Sequence, residues 1–201
     1  MSTLPKTHLT PEQYLEIERK AEFKSEYFPG ETSPTLGASR AHNLIAWNAG
    51  ASLYQQLRGG PFEVYPGGMR VRVTAAGLYA YPDLVIACAK LQFADDTFDT
   101  LLNPTVIVEV VSESTEAYDR GEKFRHYRSL ESLTEYLLIS CQRINVELYV
   151  RQPDGTWNFT AKAGLKDSID LKAVDCHLLL ADVYERVEFS TSLPFSREML
   201  R

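Results

Sequence analysis

The sequence predicts an α+β fold with an α/β-like core, and three observations predict it. Leu44, Ile45, Ala49, Leu53 and Leu57 recur at helical spacing and mark one long amphipathic helix. Two short apolar runs, residues 84–88 and 105–111, read as strands buried on both faces. Turn-bounded β segments fill most of the chain from residue 62 to residue 162.

The elements follow in order. Thr10 can cap a helix, Pro11 suits its first position and Gln13 completes a capping box. That helix should end near Ala21. Pro29-Gly30 turns a hairpin with Glu26 and Glu31 on opposite arms. Ser39 caps the long helix over about residues 40–57, and Arg58-Gly59-Gly60-Pro61 stops it. Residues 62–65 and 69–73 are expected strands. The second alternates Arg70 and Arg72 with Met69, Val71 and Val73, a half-exposed pattern. An acidic connection covers residues 94–100. After a turn at 112–115, a helix is expected over about 116–130, with Gly121 inside it. Strands at 135–141, 145–151 and 157–162 come next, and residues 178–184 read as a strand passing into a short helix. One domain over 1–187 and a tail over 188–201 are expected.

Composition excludes several classes. The 201 residues hold 44% hydrophobic and 24% charged side chains, an ordinary globular balance. Twenty-one Lys and Arg against 27 Asp and Glu leave a net charge of −6, unlike a general nucleic-acid coat protein. Cys88, Cys141 and Cys176 are scattered, so neither a disulfide framework nor a thiolate zinc site is expected. No apolar run approaches the roughly 18 residues of a membrane span, and the N-terminus shows no signal-peptide core. The expectation is a cytoplasmic protein with no membrane partner.

Glu109 is the anomaly that points to chemistry. It interrupts Val106, Ile107, Val108, Val110 and Val111, where a lone carboxylate is costly to bury without a cation or donors. It either sits at a sheet edge, pairs with a structural Arg, or serves a function that tolerates the violation. Asp83, after Pro82 at the entry to the other apolar strand, is turn punctuation on its own. Together the two acids, 26 residues apart, can be neighbours across a sheet. A divalent metal would relieve their repulsion, and Mg²⁺ takes hard oxygen ligands of this kind. Lys123 shares a helix face with Asp119 and Tyr127. It forms a solvated pair with Asp119, or it turns back over the strand end to neutralise phosphate charge.

The order Pro82-Asp83, then Glu109, then a nearby Lys resembles the PD-(D/E)-x-K nuclease superfamily. More closely, several motifs look like the Uma endonuclease family, long labelled a domain of unknown function. They are Glu26-Tyr27-x-x-Gly30-Glu31, Ser39-x-x-His42, Tyr81-Pro82-Asp83, Asn103-Pro104 through Glu109-Val110-x-Ser112-x-Ser114, and Asp119-x-x-x-Lys123-x-x-x-Tyr127. The match runs from about residue 8 to residue 186.

The resemblance implies a restriction-endonuclease-like central mixed β-sheet flanked by helices, carrying an N-terminal helix and hairpin. It implies Asp83 and Glu109 as ligands of Mg²⁺ or Mn²⁺, with the backbone carbonyl of Val110 as a third. The superfamily Lys belongs two residues after Glu109, where this chain has Val111. The resemblance moves that role to Lys123. Glu26 completes the site or is an exposed strand residue. His42, Ser112, Asp119, Tyr127 and Glu31 are supporting candidates; His42 contacts phosphate or positions water, or else is a residue of the helix cap packed on the sheet.

The expected activity is metal-dependent hydrolysis of DNA phosphodiesters. The alternatives are an inactive nuclease-fold binding or assembly protein, or an enzyme on RNA or another phosphate ester. Residues 115–130 set Arg120, Lys123, Arg125 and Arg128 against Glu116, Asp119 and Glu122, hardly a basic patch. DNA contact is therefore expected to be weak or transient, and a homodimer is expected because such folds often cut two strands with two sites.

Overall fold

The computed structural model describes residues 9–35, 37–75, 77–88 and 90–189. The chain opens with α1 (Pro11–Glu18), whose Thr10–Gln13 capping box is formed, and the hairpin β1 (Ser25–Phe28) and β2 (Glu31–Pro34). Next come α2 (Arg40–Leu57), β3 (Phe62–Pro66), β4 (Arg70–Val73), β5 (Leu78–Ala80), β6 (Leu84–Cys88), β7 (Thr100–Leu101) and β8 (Val106–Val111). A short helical run then comprises α3 (Glu116–Tyr118), a π-helical turn (Asp119–Lys123) and α4 (Phe124–Tyr127). The chain continues through β9 (Glu135–Ser140), β10 (Val146–Arg151), β11 (Trp157–Lys162), β12 (Ser168–Leu171), β13 (Cys176–Leu179) and α5 (Leu180–Val183).

A six-stranded mixed sheet, order β11-β10-β9-β8-β6-β3, forms the centre. Its β8–β9 pair is parallel and its other pairs are antiparallel. A five-stranded sheet, order β2-β1-β5-β4-β7, and the β12–β13 ribbon complete the β structure. Strand alternation sorts β8 onto two cores. Val106, Val108 and Val110 pack with Ile45, Ala49 and Leu53 of α2. Ile107 and Val111 join Val85, Val71, Leu78 and Tyr127 on the other side. Every residue of β8 is buried, so its near-continuous apolar run has the reason expected of a central strand.

The structure departs from the sequence expectations in several places. Arg70 is not half exposed: it is 2% exposed, and its guanidinium meets Thr100, Tyr81 and Asp99 at 2.9, 2.7 and 2.9 Å. Its charge is consumed inside the protein. The expected single helix over 116–130 ends at Tyr127 and is broken by the π turn. α1 stops at Glu18, three residues before Ala21. The short strands β5 and β12 had no sequence signal of their own. Glu188 and Phe189 are described, and the rest of the expected tail lies outside the described residues. Among the described residues no helix is long and apolar enough to cross a membrane.

Gly50 of α2 faces the Leu84 side chain of β6. A Cβ there would stand 3.0 Å from Leu84 Cδ2, directly beside Asp83. Gly50→Val is expected to destabilise the protein by about 1–3 kcal/mol through overpacking, measured as a lower urea midpoint at unchanged slope.

Candidate active site

Sheet register brings the two acids together. β6 and β8 run antiparallel with Leu84 opposite Val108 and Val85 opposite Ile107. One step beyond this ladder, Asp83 falls opposite Glu109. Pro82 has no N–H to extend the ladder, so the Asp83 side chain makes the next bond instead. Its Oδ2 accepts from the Val110 N–H at 2.7 Å.

His42 reaches the same oxygen. Ser39 caps α2 by accepting from the His42 N–H at 3.2 Å, and the imidazole Nε2 lies 3.2 Å from Asp83 Oδ2. His42 Nδ1 is buried and has no hydrogen-bond partner among the described residues. Burial pulls the imidazole pKa down, but the hydrogen bond and charge of Asp83, with the charge of Asp119, outweigh this and hold it above its ordinary value.

Lys123 arrives from the π turn. This one wide turn buries both Asp119 and Lys123, and such turns often accompany functional sites. The ammonium Nζ lies 2.9 Å from Glu109 Oε1, 2.9 Å from Glu26 Oε1 and 3.5 Å from Asp119 Oδ1. Tyr127 donates its hydroxyl to Glu109 Oε1 at 3.1 Å. The Tyr81 N–H donates to Glu26 Oε1 at 3.4 Å.

One cation thus faces three carboxylates in a dry setting. Burial pushes the Glu109 carboxyl well above its usual range. Lys123 pulls it back, while Asp119, Asp83 and Glu26 push it further up. Burial pulls the Lys123 ammonium down, yet Glu109, Glu26 and Asp119 outweigh that and hold its proton firmly. Asp119 is likewise raised, chiefly by burial.

Asp83, Glu109, Lys123, Glu26, Asp119, Tyr127 and His42 therefore share one end of the sheet. Glu109 is neither at a sheet edge nor paired with an Arg, and the Asp119–Lys123 pair is not solvated. Glu26 is not an exposed strand residue, since its side chain retains only 15% exposure. Ser112 lies in the turn after β8, bonded to Ser114 and Thr115. Glu31 is exposed on the second hairpin arm, opposite Phe28.

Two neighbours were given no role by the sequence. Tyr81, quoted only as part of the Tyr81-Pro82-Asp83 motif, holds Glu26 through its N–H, and the Tyr118 ring lies 6.0 Å from the Lys123 ammonium. The only signal for Tyr118 was its adjacency to Asp119, which carries no directional information by itself.

The donor set is a test for a divalent ion. Asp83 and Glu109 supply hard carboxylate oxygens. The Val110 carbonyl, on the same strand edge as the N–H that meets Asp83, adds a third. These donors fit Mg²⁺ or Mn²⁺, which take one or two carboxylates and fill the remainder with water and phosphate. Among the described residues no group of three or more His, Cys, Asp or Glu side chains forms a ready-made metal cage.

Two outcomes follow from this geometry. Lys123→Met leaves Glu109 buried without its cation and is expected to cost about 3–5 kcal/mol at neutral pH. The deficit should shrink as pH falls and Glu109 takes up a proton, which urea denaturation across pH will show. In metal-free protein, NMR titration should place the His42 pKa above its ordinary 6.5. Asp83→Asn should lower it, because burial is then opposed only by the charge of Asp119. The His42 pair accordingly adds stability that is complete below about pH 6.5 and fades as pH rises through the folded-state pKa.

Comparison with known proteins agrees with this architecture. A model of the Uma2 family, described as "Putative restriction endonuclease", matches residues 11–178. The uncharacterized protein slr1290 of Synechocystis sp. is 32% identical over 188 residues, covering 92% of this chain and 96% of the relative. The uncharacterized protein sll1609 of the same organism is 33% identical over 162 residues, covering 81% and 92%. A crystal structure from Anabaena variabilis, described as a putative nuclease belonging to DUF820, superposes with a TM-score of 0.72 at 14% identity, over 88% of this chain and 97% of the other. The mixed central sheet is thus a restriction-endonuclease-like nuclease fold, and the chain belongs to the Uma2 family.

Proposed function

We propose that the protein is a divalent-metal-dependent endonuclease that hydrolyses phosphodiester bonds of DNA. The observation that carries this reading is the Lys123 ammonium, buried 2.9 Å from Glu109 Oε1 at the sheet end where Asp83 stands opposite.

Asp83, Glu109 and the Val110 carbonyl would hold Mg²⁺ or Mn²⁺. When bound, such an ion polarises the phosphate and acidifies its water. The chain's own residues do the rest. The Val110 N–H and His42 fix the Asp83 carboxylate, so one oxygen is aimed before substrate arrives. Tyr127 fixes Glu109 in the same way. Lys123 donates to the phosphate oxygens as negative charge grows on them, the kind of preset stabilisation that contributes most in a water-poor site. Glu26 and Asp119 keep that ammonium charged and pointed inward.

The relocation of the Lys has a steric basis. Val111 is buried on the same strand face as Glu109, two residues on. Lys123 reaches that face from the helical run above it, so the ammonium arrives without a Lys in the strand. Weak or transient contact with DNA and a homodimeric arrangement belong to the same proposal.

Incubation of supercoiled plasmid with Mn²⁺ tests it. Wild type should nick the plasmid. Asp83→Ala and Glu109→Ala should abolish nicking, and Lys123→Met should slow it by roughly 10²–10³-fold, with folding checked by circular dichroism. Equal nicking by all four proteins would defeat the assignment. Absence of nicking by wild type, with no saturable Mn²⁺ binding by calorimetry, would favour the non-enzymatic assembly protein instead.

A further inference from the structure

We infer that the outward face of α2 is a stacking platform for an unpaired DNA strand leading to the candidate site, an inference that rests on the nuclease reading. Trp47 is 72% exposed and Tyr54 58% exposed, unusual for two large rings on one helix. They are seven residues apart, so both lie on the side opposite the buried Ile45, Ala49, Leu53 and Leu57. The rings are spaced about 10 Å along the axis, enough to receive separate bases.

Charge complementarity selects the occupant. No Asp or Glu occurs between Glu31 and Glu63 in a chain that carries 27 of them. Arg40 and Arg58 stand exposed at the two ends of the same face. From a neighbouring element, Glu185 comes near through its backbone carbonyl, which accepts from Asn48, while its carboxylate lies 3.6 Å from Arg186. In a protein of net charge −6, α2 itself is free of acids and carries an arginine at each end of its aromatic face, while the exposed acids that pack nearest, Asp182 and Glu185, belong to the α5 region. Exposed rings between cations are what single-strand binding uses, since every base has a face to stack and every nucleotide a phosphate to neutralise.

Position supports the same occupant. His42, which touches Asp83, lies on α2 only five residues before Trp47. The five-residue offset turns His42 inward and Trp47 outward, so a strand lying along the outer face reaches the metal-binding acids by passing around the helix N-terminal end, where Arg40 stands exposed. The platform explains how an acidic protein with no basic patch near Lys123 engages a polyanion.

The test is fluorescence anisotropy in EDTA, where no cleavage occurs, with labelled oligo(dT) and oligo(rU) of about 20 nucleotides, longer than a typical single-strand site. Wild type should bind oligo(dT). Trp47→Ala and Tyr54→Ala should each weaken binding by about 10-fold, whereas Trp47→Phe stays within about 3-fold of wild type because its ring still stacks. Both side chains are exposed, so the variants should fold as wild type does. Binding untouched by either alanine variant, or no oligo(dT) binding at all, overturns the platform. So does tighter binding of oligo(rU), which would make the ligand RNA. A wild-type dimer in sedimentation velocity that Trp47→Ala dissociates also overturns it, since the face would then be a protein interface. Plasmid nicking is read separately. Nicking with Trp47-insensitive binding removes the platform and spares the nuclease, whereas Trp47-dependent binding without nicking supports the platform and removes the nuclease.

Discussion

A carboxylate in the middle of an apolar strand needs a cation, and the cation it has comes from another element. Glu109 sits in β8 with buried residues on every side, and its charge is met by Lys123 and the Tyr127 hydroxyl. Neither group could be buried alone without a desolvation cost of several kcal/mol. The pair therefore fixes where the helical run after β8 must lie. Seating Lys123 there also draws in Glu26 from the hairpin, which ties the five-stranded sheet to the central one. Three carboxylates thus share one ammonium, more acid than a simple ion pair requires.

Much of this site was legible in the sequence, for identifiable reasons. A charged residue inside a run of β-branched residues violates burial economy, so Glu109 stood out. Asp83 was recognisable only with it, and register supplied the link. Lys123 followed from helical spacing with Asp119 and Tyr127. What stayed hidden is tertiary in origin. No local pattern encodes that Arg70 is spent on Asp99, Tyr81 and Thr100 instead of facing solvent. Nothing in Ser39-x-x-His42 says that the imidazole turns onto Asp83, because that depends on how α2 packs against the sheet. The π turn arises where Asp119 and Lys123 are both drawn inward, a demand of the packed state. β5 and β12 were missed because three or four residues carry too little periodicity to declare a strand.

The Anabaena variabilis structure shares the fold at 14% identity, so the architecture tolerates almost complete replacement of its residues. Fold by itself does not assign chemistry. What distinguishes this chain is the convergence of Asp83, Glu109 and Lys123 at one sheet end, and the way Val110, His42, Tyr127, Glu26 and Asp119 restrict those three groups. Each restriction is a hydrogen bond or ion pair formed before any ligand arrives, the condition under which fixed dipoles and charges act most strongly.

Asp83 stands one residue outside the β6–β8 ladder, and strand pairing, not loop length, decides that it faces Glu109. The segment joining the two strands makes an excursion to β7 in the second sheet before returning. Insertions or deletions along that excursion would alter the count of residues separating the acids while leaving their oxygens where they are. Distance along the chain is thus a poor fingerprint for this pair, and relatives are better sought by the strand-end placement of each acid than by a fixed interval between them.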